Sequence, residues 1–270
     1  MSQTTGLKRT NLDKFYTNEN VVKTCINCIK EHSFISRSDL IIEPSAGNGA
    51  FIDSIKSFGC EYTFYDIEPR HPEVILQDYT TLKVEHQGTG KIHIIGNPPF
   101  GRQSSLAIKF IKKSCEFCET FSFVLPRSFK KDSFKNKVPE CFHLLREIDL
   151  PKDSFLVDGK VYDVPCVFQI YVKRGFPRPK PVKLTPKSFD FVNKTDAPDV
   201  SFRRVGINAG AVSEDIADKS TQSHYFIKFK PGVDNQKMIS KMKSLVFECN
   251  TVGPRSISKQ ELIKELVDFV

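Results

Sequence analysis

The stretch that most constrains this chain is Ile92-His93-Ile94-Ile95-Gly96-Asn97-Pro98-Pro99-Phe100-Gly101. Mostly apolar, β-branched residues make Ile92 to Ile95 a short buried strand, and Gly96 lets the backbone leave it. Two prolines then fix two φ angles and remove two N–H donors, so the turn is stiff and rich in unpaired carbonyls. An Asn amide beside a Pro carbonyl is a pair of acceptors with an aromatic ring next to it. Such a set suits a flat ring carrying an exocyclic NH2 group: the acceptors take both amine hydrogens and Phe100 stacks on the ring. An ordinary Pro-Pro turn with a half-buried Phe is the alternative. The four residues Asn97, Pro98, Pro99 and Phe100 in this order occur by chance in roughly one chain per thousand of this size.

The residues before this turn read as alternating strands and helices. Asp13-Lys14-Phe15-Tyr16-Thr17 offers an aromatic pair and a hydroxyl, and Asn18 then caps a helix over 19–30. Asp39 to Ile42 is an apolar strand that runs into Glu43-Pro44-Ser45-Ala46-Gly47-Asn48-Gly49-Ala50-Phe51, with a helix continuing to about Phe58. A strand, a small-residue turn and a helix together bring backbone close to a ligand. A second strand, Glu61 to Tyr65, ends at Asp66. A carboxylate about twenty residues past a glycine turn is placed to accept both hydroxyls of a ribose. An N-cap before Ile67 is the competing role. Val74 to Gln77 follows as a strand ending in Asp78-Tyr79. Beyond Phe100 the pattern gives a helix from Ser104 or Ser105 to about Cys118 and a strand over 121–126. Helix-prone residues 135–145, a strand over 145–150, a hairpin-like loop over 153–160 and a strand over 164–172 complete the run.

Taken together, these motifs resemble the class I S-adenosylmethionine-dependent methyltransferases that modify adenine N6 in nucleic acids, in the γ order of motifs X, I and IV. The resemblance covers residues 1–174. It implies an α/β, doubly wound, Rossmann-like methyltransferase sheet with S-adenosylmethionine as cofactor. Phe15, Tyr16 and Thr17 would lie against the methionine part, and Glu43 would face its amino-acid end. Ser45, Gly47 and Gly49 belong to the turn that lets the cofactor approach the chain. Ile67 would pack on the cofactor adenine and Asp78 would accept from its amine, although ordinary loop roles also fit those two. The loop after residue 153 would present an aromatic to the target base; Phe155 is the candidate, and a packing Phe is the alternative. Related protein-glutamine methyltransferases carry Tyr where Phe100 stands, which disfavours that substrate.

Gly175-Phe176-Pro177-Arg178-Pro179-Lys180-Pro181 breaks the alternation and reads as an extended linker. It divides a catalytic domain, 1–174, from a smaller α+β region, 175–270. Nine Lys or Arg against three Asp between Lys173 and Arg204 make that region basic. A solvated face is one reading. The other is a target-recognition region in which Arg203 and Arg204 grip phosphates. Net charge, +8 from 40 basic and 32 acidic residues, favours a polyanionic partner. The expected partner is nucleic acid, with DNA ahead of RNA; a silent methyltransferase-like binding subunit is the non-enzymatic alternative.

No apolar run approaches a membrane span, and the polar N-terminus lacks an apolar signal core, so an intracellular setting, cytoplasmic or nuclear, is expected. Cys25-x-x-Cys28 and Cys115-x-x-Cys118 invite a zinc reading. Their helical spacing with Val21, Val22, Ile29, Ile108 and Ile111 favours reduced thiols packed on apolar faces, and no metal is expected.

Overall fold

A computed structural model describes residues 16–84, 89–157 and 160–268. Phe15 lies outside them. The chain forms two compact units, Met1–Pro179 and Lys180–Val270.

In the first unit β1 (Tyr16–Thr17) leads into α1 (Glu19–His32), whose N-terminus is capped by Asn18 accepting from the Asn20 N–H at 3.0 Å. The expected apolar stripe is buried, with Cys25 and Cys28 in it as free thiols. Next come β2 (Leu40–Glu43), α2 (Ile52–Lys56), β3 (Glu61–Asp66), β4 (Ile75–Leu76) and β5 (Ile92–Gly96). α3 (Ser105–Ser114) and β6 (Thr120–Pro126) follow, then a single helical turn α4 (Asp132–Lys135). β7 (Phe142–Asp149), β8 (Phe155–Val157), β9 (Lys160–Tyr162) and β10 (Cys166–Lys173) complete the unit.

Seven of these strands form one sheet in the order β4-β3-β2-β5-β6-β10-β7. Neighbours from β4 to β6 pair in parallel, while β10 runs antiparallel to both β6 and β7. Central β5 is buried along its whole length, as a strand covered on both faces must be. Its one polar side chain is satisfied inside the sheet: the His93 ring nitrogens meet the Thr120 hydroxyl at 2.7 Å and the Asp39 carboxylate at 3.2 Å. Strand order reverses between β2 and β5. In a doubly wound sheet that is where a crevice opens beyond the carboxyl ends of the strands. A separate ribbon, β1-β8-β9, pairs Thr17 with Phe155 and so ties the N-terminal aromatic segment to the loop after residue 153.

Two segments depart from the sequence reading. The helix expected over 135–145 does not form; α4 ends at Lys135 and β7 begins at Phe142. Pro139 sits at the centre of that span, where it removes a helical N–H and clashes with the preceding turn. The linker also starts later than Gly175. Arg178 donates its N–H to the Glu140 carbonyl at 2.8 Å, and its guanidinium reaches four more carbonyls, those of Lys135, Val138, Pro139 and Phe142. The chain therefore stays bound to the first unit to Pro179.

The second unit is an antiparallel sheet in the order β11-β14-β12-β13, made of β11 (Phe189–Val192), β12 (Val200–Arg203), β13 (Val212–Ser213) and β14 (His224–Phe229). Phe189, Phe202, Ile227 and Phe229 from this sheet pack with Met238 and Met242 of α5 (Asn235–Ser244) and Leu262 of α6 (Lys259–Leu266). α6 opens with a capping box between Ser258 and Glu261. Among the described residues, no helix is long and apolar enough to cross a membrane.

Candidate active site

The crevice at the strand reversal is a cleft of about 610 Å³, a size that suits a small-molecule ligand. The ends of β2, β3 and β5 each supply part of its wall. From β2 and its turn come Glu43, Ser45 and Gly47; from β3 come Asp66 and Ile67; from β5 and its turn come Asn97 and Pro99. Tyr16, Thr17 and Asp78 also line it. The structure thus brings together ten of the residues singled out from sequence.

The glycine turn and the β3 carboxylate are built as one piece. The Gly47 N–H donates to Asp66 Oδ2 at 2.8 Å and the Glu68 N–H to Asp66 Oδ1 at 2.8 Å. Both oxygens keep further acceptor capacity, so the carboxylate satisfies its own loop and still borders the cleft. Gly47 has φ +51°, and a Cβ there would stand 3.2 Å from the Tyr16 ring, so the aromatic wall rests directly on the bare backbone.

Glu43 is 2% exposed, and its Oε2 has no hydrogen-bond partner among the described residues. Burial, reinforced by the negative charge of Asp66, pushes its carboxyl up to about 8. A buried carboxyl with an unused oxygen on a cleft wall is suited to a cationic ligand group, whose charge would favour the ionised form. Asp78 differs. It accepts from the Thr80 hydroxyl at 2.7 Å and the Thr80 N–H at 2.8 Å, and these bonds hold its carboxyl below the usual range.

Asn97 is fixed from two sides. Its Nδ2 donates to the Thr17 hydroxyl at 3.2 Å, and its main-chain carbonyl accepts from the Ser45 hydroxyl at 3.1 Å. Thr17 and Ser45 therefore act on the Asn97 turn as well as on the cleft wall. Pro98 is buried, and Gly49, which faces His71 and Ile52, does not line the cleft.

The aromatic expectations need correction. Phe100 is only 7% exposed and is not part of the cleft wall; its ring packs edge-on against Phe155, centroids 6.4 Å apart at 86°. Phe155 is fully buried because β8 pairs it with Thr17, so it takes the packing role and offers no free face. Arg203 and Arg204 belong to the second unit, and both are engaged there. Arg203 Nε donates to the Val205 carbonyl at 3.3 Å, and Arg204 Nη2 donates to the Gln222 carbonyl at 2.8 Å while lying 5.6 Å from the Tyr225 ring.

One wall was missed. Arg102, Ser105, Leu106, Lys109 and Phe110 all line the cleft from α3 and the turn before it. Part of the signal was present: Ser105, Leu106 and Lys109 are neighbours on one side of α3, beside the core residues Ala107, Phe110, Ile111 and Ser114, whereas Arg102 reaches the cleft from a turn with positive φ at Gln103 and Ser104.

No family model matches the chain. It is 35% identical over 104 residues to two type II methyltransferases of Haemophilus influenzae, M.HincII and M.HindII, which is 37% of this chain and 19% of each relative. The chain thus spans less than a fifth of the length of the curated relatives it matches. Among solved structures, similarity extends to a proposed RNA methyltransferase from Pyrococcus horikoshii (15% identity, TM-score 0.49, covering 62% of this chain and 91% of that one). A modification subunit of a proposed type I restriction enzyme from Vibrio vulnificus is similar at 10% identity and TM-score 0.47, covering 95% of this chain and 62% of that one. The fold assignment rests on the strand order itself.

Proposed function

We propose that the chain is an S-adenosylmethionine-dependent methyltransferase acting on the N6 amine of adenine in nucleic acid. One observation carries this reading. The amine-acceptor turn at Asn97, the ribose-type carboxylate Asp66 and the buried acid Glu43 border one cleft at the strand reversal. The donor set fits the cofactor: Glu43 Oε2 is an unused acceptor for an ammonium group, and Asp66 offers two oxygens to vicinal hydroxyls. Asp78 is an ionised acceptor for an adenine amine. Bound there, the cofactor would supply an electrophilic sulfonium methyl.

The chain's own contribution to transfer is positioning. Adenine N6 is a poor nucleophile because its lone pair is delocalised into the ring. Asn97 Oδ1 and the Pro98 carbonyl, accepting the two amine hydrogens, draw the nitrogen toward sp3 geometry and free that lone pair. The attack would then be an in-line displacement in which the N6–methyl bond forms as the methyl–sulfur bond breaks and the nitrogen gives up one proton to solvent, driven by orientation and fixed dipoles rather than by a strong base. A target base held in a duplex would first leave the stack, at a few kcal/mol. Phe100 supplies a stacking face in this scheme only if its ring turns from Phe155 toward the base.

DNA is taken as the first substrate because the sequence match is to type II methyltransferases. The test is transfer from methyl-labelled cofactor to double-stranded DNA, single-stranded DNA and RNA in parallel, with the product nucleoside identified. Labelled N6-methyladenosine from RNA alone would move the substrate to RNA. Cofactor binding without transfer to any of the three would leave a binding subunit.

A further inference from the structure

We infer that the cleft-facing side of α3 is a phosphodiester-binding strip that holds the substrate strand beside the reacting amine, with Arg102 as its first contact and Ser105 and Lys109 continuing it. The inference rests on the nucleic-acid methyltransferase reading and adds to it where the strand is gripped.

Three observations converge on these side chains. Ser105 and Lys109, four residues apart, share one face of α3, Arg102 stands in the turn just before it, and all three are exposed and line the cleft. Their chemistry is a guanidinium, a hydroxyl and an ammonium: donors of the kind that hold phosphate oxygens and carry no sequence information. No side chain of the three makes a hydrogen bond or an ion pair with any described residue. Some other cations of the first unit are engaged: Arg70 lies 3.0 Å from Glu68, Lys113 lies 2.7 Å from Glu116, and Lys130 lies 3.0 Å from Asp149.

The acidic residues of the cleft gather on one side. Glu43, Asp66, Glu68 and Asp78 stand on the side built by β2, β3 and the loop after β4, where Arg70 is paired with Glu68. Arg102 and Lys109 stand on the α3 side, which suits a polyanion. Lys109 is the cation that reaches the acidic side, helping to hold the Asp78 carboxyl down.

The backbone bends sharply around Arg102. Gly101, Gln103 and Ser104 have φ of +67°, +52° and +61°, so the chain turns sharply just after Phe100. A Cβ at Gly101 would come within 2.7 Å of the Leu106 side chain, so this turn is packed down onto α3. Left-handed non-glycine residues are uncommon, and two stand in succession directly after Arg102.

The test is a salt titration of binding to a fluorescein-labelled DNA duplex and to RNA of the same sequence, by anisotropy. Wild type is compared with Arg102→Ala, Arg102→Lys, Arg102→Ala with Lys109→Ala, and Arg203→Ala with Arg204→Ala; cofactor binding is measured in parallel by calorimetry. Each lost phosphate contact should lower the log–log salt slope by about 0.9 on duplex and about 0.7 on single strands. Arg102→Ala should therefore lose one such step and the α3 double variant about two, with an accompanying rise in KM for nucleic acid. Arg102→Lys should retain the wild-type slope, because the charge stays. Cofactor affinity in Arg102→Ala should match wild type. Wild-type slopes in both α3 variants, beside a wild-type protein that binds cofactor and nucleic acid, would overturn the strip and leave the enzyme reading intact. A wild-type protein that binds no nucleic acid would overturn both.

Discussion

At the scale of single residues, the proposed function turns on Asn97, Asp66 and Glu43, and each makes a separable prediction. Asn97→Ala removes an acceptor for the target amine but nothing from the acidic side of the cleft, so transfer should be abolished with cofactor affinity unchanged. Asp66→Ala should instead weaken cofactor binding by about 1.5–3 kcal/mol, because two hydroxyls lose their acceptor. Calorimetry and single-turnover transfer on the two variants separate these outcomes; near-normal turnover in Asn97→Ala would make the turn purely structural. Glu43 predicts a pH dependence. Its carboxyl is raised from an ordinary value of 4.5 to about 8, so the native protein holds a proton that the unfolded chain releases. Stability should then fall as pH rises from about 4.5 to 8, and Glu43→Gln should relieve the fall, melting higher than wild type above pH 8 and about equally near pH 4. A cationic ligand that needs the carboxylate should release a proton on binding below pH 8. Calorimetry in buffers of different ionisation enthalpy measures that proton directly. Much of the placement was legible in sequence, because Glu43 and Asp66 end short strands and Asn97 directly follows one. The burial of Phe100 and Phe155 was not legible, since it depends on Thr17 pairing with Phe155 from far along the chain.

At the scale of elements, local pattern failed where a long-range contact overrode it. Residues 135–145 have helical composition, yet Pro139 divides them and Phe142 to Asp149 pair with β10. The carbonyls left over at the end of α4 are the kind a helix terminus must satisfy. Arg178 satisfies those of Lys135, Val138, Pro139 and Phe142 at 2.8–2.9 Å, from a position that sequence alone assigns to a linker. Arg178→Ala should destabilise the first unit by about 2–4 kcal/mol, since several charge-assisted bonds go at once. Arg178→Lys should not restore it, because an ammonium on a flexible stem cannot match the planar fork. Thermal melting of the three proteins checks both statements, and a lysine variant melting with wild type would show that charge alone suffices. α3 carries the opposite lesson. Its two sides were both readable, but a pattern search that stops at the core face discards the one lining the cleft.

At the scale of the whole molecule, the strand order accounts for why residues up to eighty positions apart in sequence meet. Thr17, Ser45 and Asn97 converge because β2 and β5 are neighbours across the reversal, and because β1 is tied to β8 rather than to the main sheet. A parallel run can be foreseen from alternating strands and helices; the antiparallel insertion of β10 between β6 and β7 cannot, because both orders satisfy the same alternation. The two units have separate cores, and the residues bordering the cleft all lie before Pro179. Cofactor binding should therefore belong to the first unit alone, provided that it is cut in the right place. A fragment of residues 1–179 keeps Arg178 and its carbonyl partners, whereas a fragment of residues 1–174, cut where the sequence pattern changes, loses them. The longer fragment should bind cofactor as the full chain does. The shorter one should melt at lower temperature by at least the amount that Arg178→Ala costs the longer fragment, because it also loses the Arg178 N–H bond to Glu140 and the contacts of Phe176 with His143. Calorimetry and melting curves on the pair decide it: equal stability would mean that Arg178 contributes nothing the loop cannot find elsewhere, and loss of cofactor binding from a folded 1–179 fragment would mean that the second unit completes the site.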